Sequence, residues 1–230
     1  MRNMLTALIF IFATQGIAEN KQTSFGGAKL ILPEPQNLCE VKNTGSTAEI
    51  FELAAALQIT AQNKLLAYYE NCLHLERLLD GFTGGSPEYI LIVAHNPNPN
   101  KETVYKQYNA RRFNEEMASY VSGIDINEIF KKVERGANQT LDDYDIDLKL
   151  AYEKPINLGV LDIGDAVFHG MVMNINDGTK DHIVGGLFSY LLLNGIPLFV
   201  CKYKPYKDRK TITDLLFESK YYAARLVYSN

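Results

Sequence analysis

The second half of the chain alternates apolar runs with short turn signals, a pattern that predicts paired β-strands. The apolar runs cover residues 158–163, 166–175, 183–193 and 196–203. Asn176-Asp177-Gly178-Thr179 and Asn194-Gly195 separate three of these runs, and both are strong hairpin signals. Since strands joined by short turns are antiparallel, we predict an antiparallel meander here. A half-buried strand is also predicted over residues 146–152, where apolar and polar positions alternate.

The first half mixes strand and helix signals. Residues 28–32 and 89–94 predict buried strands, and residues 65–69 fit either a strand or a helix. The capping box Ser46-Thr47-Ala48-Glu49 predicts the start of a helix. Further helices are predicted over residues 74–79 and 101–134, the second with a break near Gly123.

A closing helix is predicted over residues 209–229, because its apolar positions fall on one side and its charges on the other. Strands that form a meander next to several helices indicate an α+β fold. We therefore predict a curved antiparallel β-sheet meander with helices packed on it and a C-terminal closing helix.

The first twenty residues have the pattern of an export signal. Arg2 supplies a short positive region, residues 5–13 are mostly apolar, and Gly16 and Ala18 fit a cleavage site after Ala18. An uncleaved anchor is the alternative, although the apolar run is shorter than the ~20 residues of a membrane span. We predict a signal peptide over 1–18, a flexible leader over 19–27 and a single domain over 28–230. The mature protein is then periplasmic or secreted.

Composition fits an ordinary globular domain. The chain has 230 residues, of which 47% are hydrophobic and 22% are charged, which excludes wholesale disorder. The formal net charge of −4 leaves no basic surplus for nucleic-acid binding. The uncharged stretch 184–201 contains Asn194-Gly195 and Pro197, so we interpret it as two strands and predict no transmembrane span in the mature chain.

Three cysteines, Cys39, Cys72 and Cys201, enter an oxidising compartment if the chain is exported. We predict a bridge between Cys39 and Cys72 and a buried free thiol at Cys201. Three pairings are possible, and the spacing of the cysteines does not distinguish them. His74 lies two residues from Cys72, a spacing that suits a catalytic pair poorly, so we expect no cysteine nucleophile.

Motifs for catalysis, cofactors and metals are missing from the sequence. The chain has no Gly-x-Ser-x-Gly elbow, no phosphate-binding glycine loop and no metal-type histidine spacing. We therefore predict no catalytic, cofactor-binding or metal site. The alternative is a hydrolase or metal-dependent enzyme assembled only in the fold, around His95, His169 and the aspartates Asp162 and Asp165.

One locally basic and aromatic stretch precedes the closing helix. It contains Lys202, Lys204, Tyr206, Lys207 and Arg209. Such a surface suits an anionic headgroup, a glycan or a protein partner. We predict it as a possible partner-binding patch, the alternative being a loop whose lysines serve solubility.

A resemblance emerges from several motifs taken together. The chain resembles a group of exported bacterial proteins of unassigned function in the segments LGVLDIGDAVFHGMVM, LLLNGIPLFVCKYKPYKD and the closing ARLVYSN. It also resembles them in having Leu32-Pro33 before Cys39 and Leu65-Leu66-Ala67 before Cys72. The overall plan is similar to PsbP-like domains. The resemblance implies a paired Cys39 and Cys72, and it carries no activity.

We therefore predict an exported, non-catalytic domain that binds or stabilises an unidentified protein or other cell-envelope component. Two alternatives stay open, namely an enzyme whose site is assembled in the fold and a secreted protein that acts on a host. Recovery from culture medium would favour the second of these.

Overall fold

The computed structural model describes residues 20–59, 61–80, 88–98, 100–146, 149–176 and 181–230. The strands are β1 (Lys21–Phe25), β2 (Ala28–Leu32), β3 (Leu38–Glu40), β4 (Asn63–Asn71), β5 (Tyr89–His95), β6 (Ala151–Ile163), β7 (Val167–Asn176), β8 (Asp181–Leu193) and β9 (Ile196–Pro205). The helices are α1 (Ala48–Ile59), α2 (Cys72–Leu79), α3 (Ala110–Ser122), α4 (Ile126–Asp143) and α5 (Arg209–Ser229). The predicted signal peptide lies outside the described residues.

In the described part of the chain, seven strands form one open sheet in the order β3-β4-β5-β9-β8-β7-β6. Every neighbouring pair is antiparallel. The prediction of an α+β fold with a C-terminal closing helix is therefore confirmed. β6 to β9 form the predicted meander, and the β8–β9 turn places Asn194 and Gly195 at φ values of 51° and 78°. That left-handed backbone is why the turn uses Asn-Gly.

Three sequence predictions need correction. Lys21–Phe25 form a strand paired with Ala28–Leu32, so they are not a flexible leader. Residues 101–109 are not helical, and α4 continues to Asp143, beyond the predicted end at residue 134; the predicted break near Gly123 is confirmed, because α3 ends at Ser122 and α4 begins at Ile126. The predicted strand over 146–152 begins only at Ala151, while residues 147 and 148 lie outside the described part.

One face of the sheet carries the main core, with α5 packed across it. Leu187, Leu191, Leu198 and Val200 from β8 and β9 are almost fully buried against Leu215 and other apolar residues of α5. The β1–β2 hairpin adds Phe25, Leu30 and Leu32 to the same cluster. Tyr222 of α5 donates a hydrogen bond to the Pro33 carbonyl at 2.6 Å, which ties the closing helix to the chain after β2.

The predicted disulfide between Cys39 and Cys72 is present, with the two Cα atoms 4.9 Å apart. It joins β3, the short edge strand, to the first residue of α2. Cys201 is a free cysteine, as predicted, although the residue is half-buried rather than buried. In the residues that the structure describes, no helix has both the length and the apolar character needed to cross a membrane.

Candidate functional site: an aromatic cavity

The sheet face opposite α5 carries a row of aromatic side chains. The strand register pairs Tyr89 with Tyr203 and Tyr190 with Phe199. Their ring centroids lie 4.5 Å and 5.2 Å apart respectively. Phe188 meets Tyr203 edge-on at 5.7 Å. Because alternate residues of a strand face the same side, this row follows directly from the sequence period of β8 and β9.

Helices α1, α3 and α4 lie over this face without filling the space beneath them. They leave a cavity of about 750 Å³, which is within the usual range for small-molecule sites. The sheet contributes Asn63, His95, Phe188, Tyr190, Leu192, Pro197, Phe199, Cys201 and Tyr203 to its lining. The rest of the lining comes from the helices and connections, namely Leu57, Gln58, Ala61, Gln62, Tyr105, Tyr108, Phe113, Glu116, Met117, Tyr120, Val121, Ile124, Ile129 and Val133.

Helix α3 presents its apolar side to the cavity because of its spacing. Phe113, Met117, Tyr120 and Val121 recur at intervals of three to four residues, so they share one side of the helix. Asn109 caps the helix by accepting a hydrogen bond from the Arg112 backbone N–H at 2.8 Å. This cap fixes where the helix begins and therefore which side chains point inward.

The connection between β5 and α3 closes part of the cavity with Tyr105 and Tyr108. The Tyr105 backbone N–H donates to the Gly195 carbonyl at 2.6 Å. A Cβ at Gly195 would lie 3.1 Å from the Tyr105 carbonyl carbon, so the turn needs glycine for this close approach as well as for its positive φ.

The sheet side of the cavity is electrically neutral. Burial raises the pKa of Tyr190 and Tyr203 well above the usual tyrosine value, so both phenols stay protonated. Burial also raises the pKa of the Cys201 thiol to about 12, against which a hydrogen bond with Tyr203 acts only weakly. Burial lowers the pKa of His95, which therefore presents a neutral imidazole at neutral pH.

Glu116 brings a charge to the helix side of the lining, and that charge is already paired. Its carboxylate accepts hydrogen bonds from the Arg112 guanidinium at 2.8 Å and from the Tyr108 hydroxyl. The Arg112 guanidinium carbon also lies 5.2 Å from the Tyr108 ring centroid. Tyr120, 65% exposed, stands where this side of the lining meets solvent. An uncharged, largely apolar molecule suits these surroundings, since burying an unpaired charge is costly.

The predicted partner-binding patch is partly absorbed into the fold. Lys202 and Lys204 form ion pairs with Glu88 and Glu218, and Lys202 is only 8% exposed. Lys207 and Arg209 are exposed and Tyr206 is half-buried. A partner that binds this surface would therefore contact Tyr206, Lys207 and Arg209 first. That such a partner exists stays a prediction.

The residues of the alternative enzyme prediction do not form a cluster around one point. His95 lines the cavity, whereas His169 is buried and donates a hydrogen bond from Nε2 to the Asn157 side-chain oxygen at 2.7 Å. Asp162 instead pairs with Lys220 of α5. Across the described ranges, no three His, Cys, Asp or Glu side chains come together as metal ligands do.

Sequence reasoning missed the cavity. Fourteen tyrosines without a tryptophan were the available signal, because aromatic side chains with polar tips are common in binding surfaces. The signal did not locate a site, since the rings come from five separate parts of the chain. No protein family model matches this chain, and no curated protein is significantly similar to it in sequence.

Proposed function

We propose that this protein is an exported, non-catalytic binding domain whose ligand is a small, uncharged and largely apolar component of the cell envelope. The observation that carries the proposal is the cavity of about 750 Å³ with an aromatic sheet wall. The protonated phenols and the protonated Cys201 thiol favour binding over catalysis, because neither is activated as a nucleophile.

The export half of the proposal rests on the N-terminal signal pattern, and the disulfide is compatible with it. A bridge between Cys39 and Cys72 is typical of an oxidising compartment. The mass of the protein recovered from fractions of its native host tests this half. Loss of residues 1–18 is expected. A retained N-terminus would contradict cleavage.

The binding half is tested with N-phenyl-1-naphthylamine, a neutral dye that fluoresces in apolar surroundings. We expect saturable binding of one dye per chain. Val133 is a half-buried cavity residue on α4, so Val133→Trp should fill space and weaken dye binding by about tenfold or more.

Lys132→Trp is the matched control, because it adds the same ring one residue away at a side chain that is 64% exposed. Its dye affinity should stay within about twofold of the unchanged protein. Circular dichroism of both variants checks that they fold. A protein that does not bind the dye, or equal affinities for the two variants, would refute the cavity as the site.

A further inference from the structure

A second, more polar cavity lies beside the aromatic one. Its volume is about 660 Å³. It is bounded by β1, α1, the start of β4 and the chain that follows β5, with the lining residues Lys21, Gln22, Thr23, Asn43, Phe51, Ala55, Ile59, Gln62, Asn63, Lys64, Leu65, Leu66, Asn96, Pro97 and Glu102. Its lining, as far as the structure describes it, has no phenol, one phenyl ring (Phe51), several side-chain amides and the Thr23 hydroxyl.

Gln62 and Asn63 line both cavities. They sit where α1 gives way to β4, and Gln62 holds a left-handed backbone with φ of 58°, an uncommon conformation for a residue other than glycine. The Gln62 carbonyl accepts the Asn96 backbone N–H at 2.8 Å. Asn63 pairs in register with His95, which lines the aromatic cavity. The two cavities are thus adjacent, with Gln62 and Asn63 between them.

Two residues that line the polar cavity carry hydrogen-bond acceptors without a partner. The side-chain oxygens of Asn63 and Asn96 are buried and have no hydrogen-bond partner among the described residues. Asn96 as a whole is only 8% exposed. Buried polar groups are nearly always hydrogen-bonded, because leaving one unpaired costs its full desolvation energy. Two such oxygens in residues that line one cavity favour a ligand that donates hydrogen bonds.

The charges of the polar cavity are already matched within the protein. Lys64 pairs with Glu102, which also accepts the Gly26 backbone N–H at 2.6 Å. Lys21 pairs with Glu40 at 2.6 Å. A charged group entering this cavity would have to compete with these pairs, whereas a neutral donor would not. Hydroxyl groups meet both conditions, since they donate hydrogen bonds and carry no charge.

We infer that one amphiphilic ligand occupies both cavities, with its apolar part in the aromatic cavity and a neutral, hydroxyl-rich headgroup such as a sugar in the polar one. Asn63 and Asn96 accept hydrogen bonds from the headgroup hydroxyls. Phe51, a lining residue, offers a ring against which a sugar can pack. This inference rests on the proposed function and narrows its ligand to a glycolipid-like molecule.

The test compares two ligands that share one chain. Octyl β-glucoside, kept below its micelle concentration, and 1-octanol each displace N-phenyl-1-naphthylamine from the protein. Hydrophobicity alone would make octanol the better ligand, so tighter binding of the glucoside reports the headgroup contacts. We expect the glucoside to bind about tenfold tighter than octanol.

Asn96→Leu should lower the preference for the glucoside over octanol from about tenfold to about threefold or less. Its affinity for octanol should stay within about twofold of that of the unchanged protein. Gln22→Ala, at an exposed position of β1 that lines the same cavity, is a second variant that avoids the core. It should lower the preference in the same direction.

Each contrary outcome is distinct. If the dye and octanol bind but the glucoside binds no tighter than octanol, the headgroup inference fails and the proposed function stands. If octylammonium binds tighter than the glucoside, the headgroup is a cation and the inference also fails. If neither dye nor octanol binds, the proposed function fails first and the inference with it.

Discussion

Lys204 of β9 and Glu218 of α5 form a 2.7 Å ion pair across the contact between sheet and helix. Burial opposes the charged form of Glu218, yet hydrogen bonds from Lys202 and Lys204 lower its pKa overall. Losing a lysine leaves the Glu218 carboxylate less well paired. Because this side chain is only 35% exposed, water compensates only in part for the lost partner. We predict that Lys204→Ala lowers the free energy of unfolding by about 1–2 kcal/mol in urea titrations.

Lys207→Ala is the matched control for this prediction, because Lys207 is exposed and only three residues away. It should change the free energy of unfolding by less than about 0.5 kcal/mol. Equal effects of the two variants would contradict the structural role of Lys204. In a partner-capture experiment, the double variant Lys207→Glu, Arg209→Glu changes the exposed charges of the predicted patch. It leaves the ion pairs of Lys202 and Lys204 in place.

The disulfide is expected to contribute substantially to stability. Cys39 and Cys72 are separated by 33 positions, and closing a loop of that size in the unfolded chain corresponds to about 3–4 kcal/mol in the chain-entropy model. The double variant Cys39→Ser, Cys72→Ser should therefore unfold at markedly lower urea concentration. Cys201→Ser provides the comparison with one cysteine lost and the bridge kept. A double variant as stable as the unchanged protein would show that the disulfide contributes nothing to the free energy of unfolding.

Cys201 should react slowly with alkylating agents. With the bridge intact it carries the single free thiol of a chain with three cysteines. Its pKa of about 12 leaves little thiolate at pH 8, and the thiolate is the nucleophile. We predict iodoacetamide modification roughly tenfold or more slower than that of glutathione, measured by mass spectrometry. In urea the two rates should become similar, and a cavity ligand should slow the native reaction further.

His169 should make the protein less stable in acid. It is 1% exposed, and burial lowers its pKa. The unfolded chain therefore takes up this proton at a higher pH than the folded protein does. The free energy of unfolding then falls as the pH drops below about 6.5, the usual histidine value.

His169→Gln tests this dependence, since glutamine retains an amide able to bond with Asn157. The variant should lose less stability than the unchanged protein when urea titrations at pH 7.5 and pH 5 are compared. Parallel losses in the two proteins would assign the acid sensitivity to other groups.

Much of the fold could be predicted from the sequence because its central elements carry strong periodic patterns. β5, β7, β8, β9 and α5 lie close to where the apolar runs predicted them. β1 was missed because KQTSF has a single large apolar residue, and its strand form depends on pairing with β2. That tertiary contact overrides local propensity.

The cavity could not be predicted in the same way. Its wall joins Leu57 of α1 to Tyr203 of β9 through several intervening segments, and no local spacing encodes which of them meet. Sequence reasoning placed Lys202 and Lys204 in a possible partner-binding patch, whereas both form ion pairs within the protein. Their partners Glu88 and Glu218 lie far away along the chain, so their pairing could not be inferred from the local pattern.

The strand order of the sheet also imposes an order of assembly. β6 to β9 pair with their neighbours in sequence, so the meander can form from local contacts. β5, however, gains its second neighbour only when β9 exists, and Tyr89 then meets Tyr203. A chain shortened before β9 would leave β5 as an open sheet edge prone to aggregation. The amino-terminal half therefore reaches its native form only after β9, close to the carboxyl end of the sequence, has been synthesised.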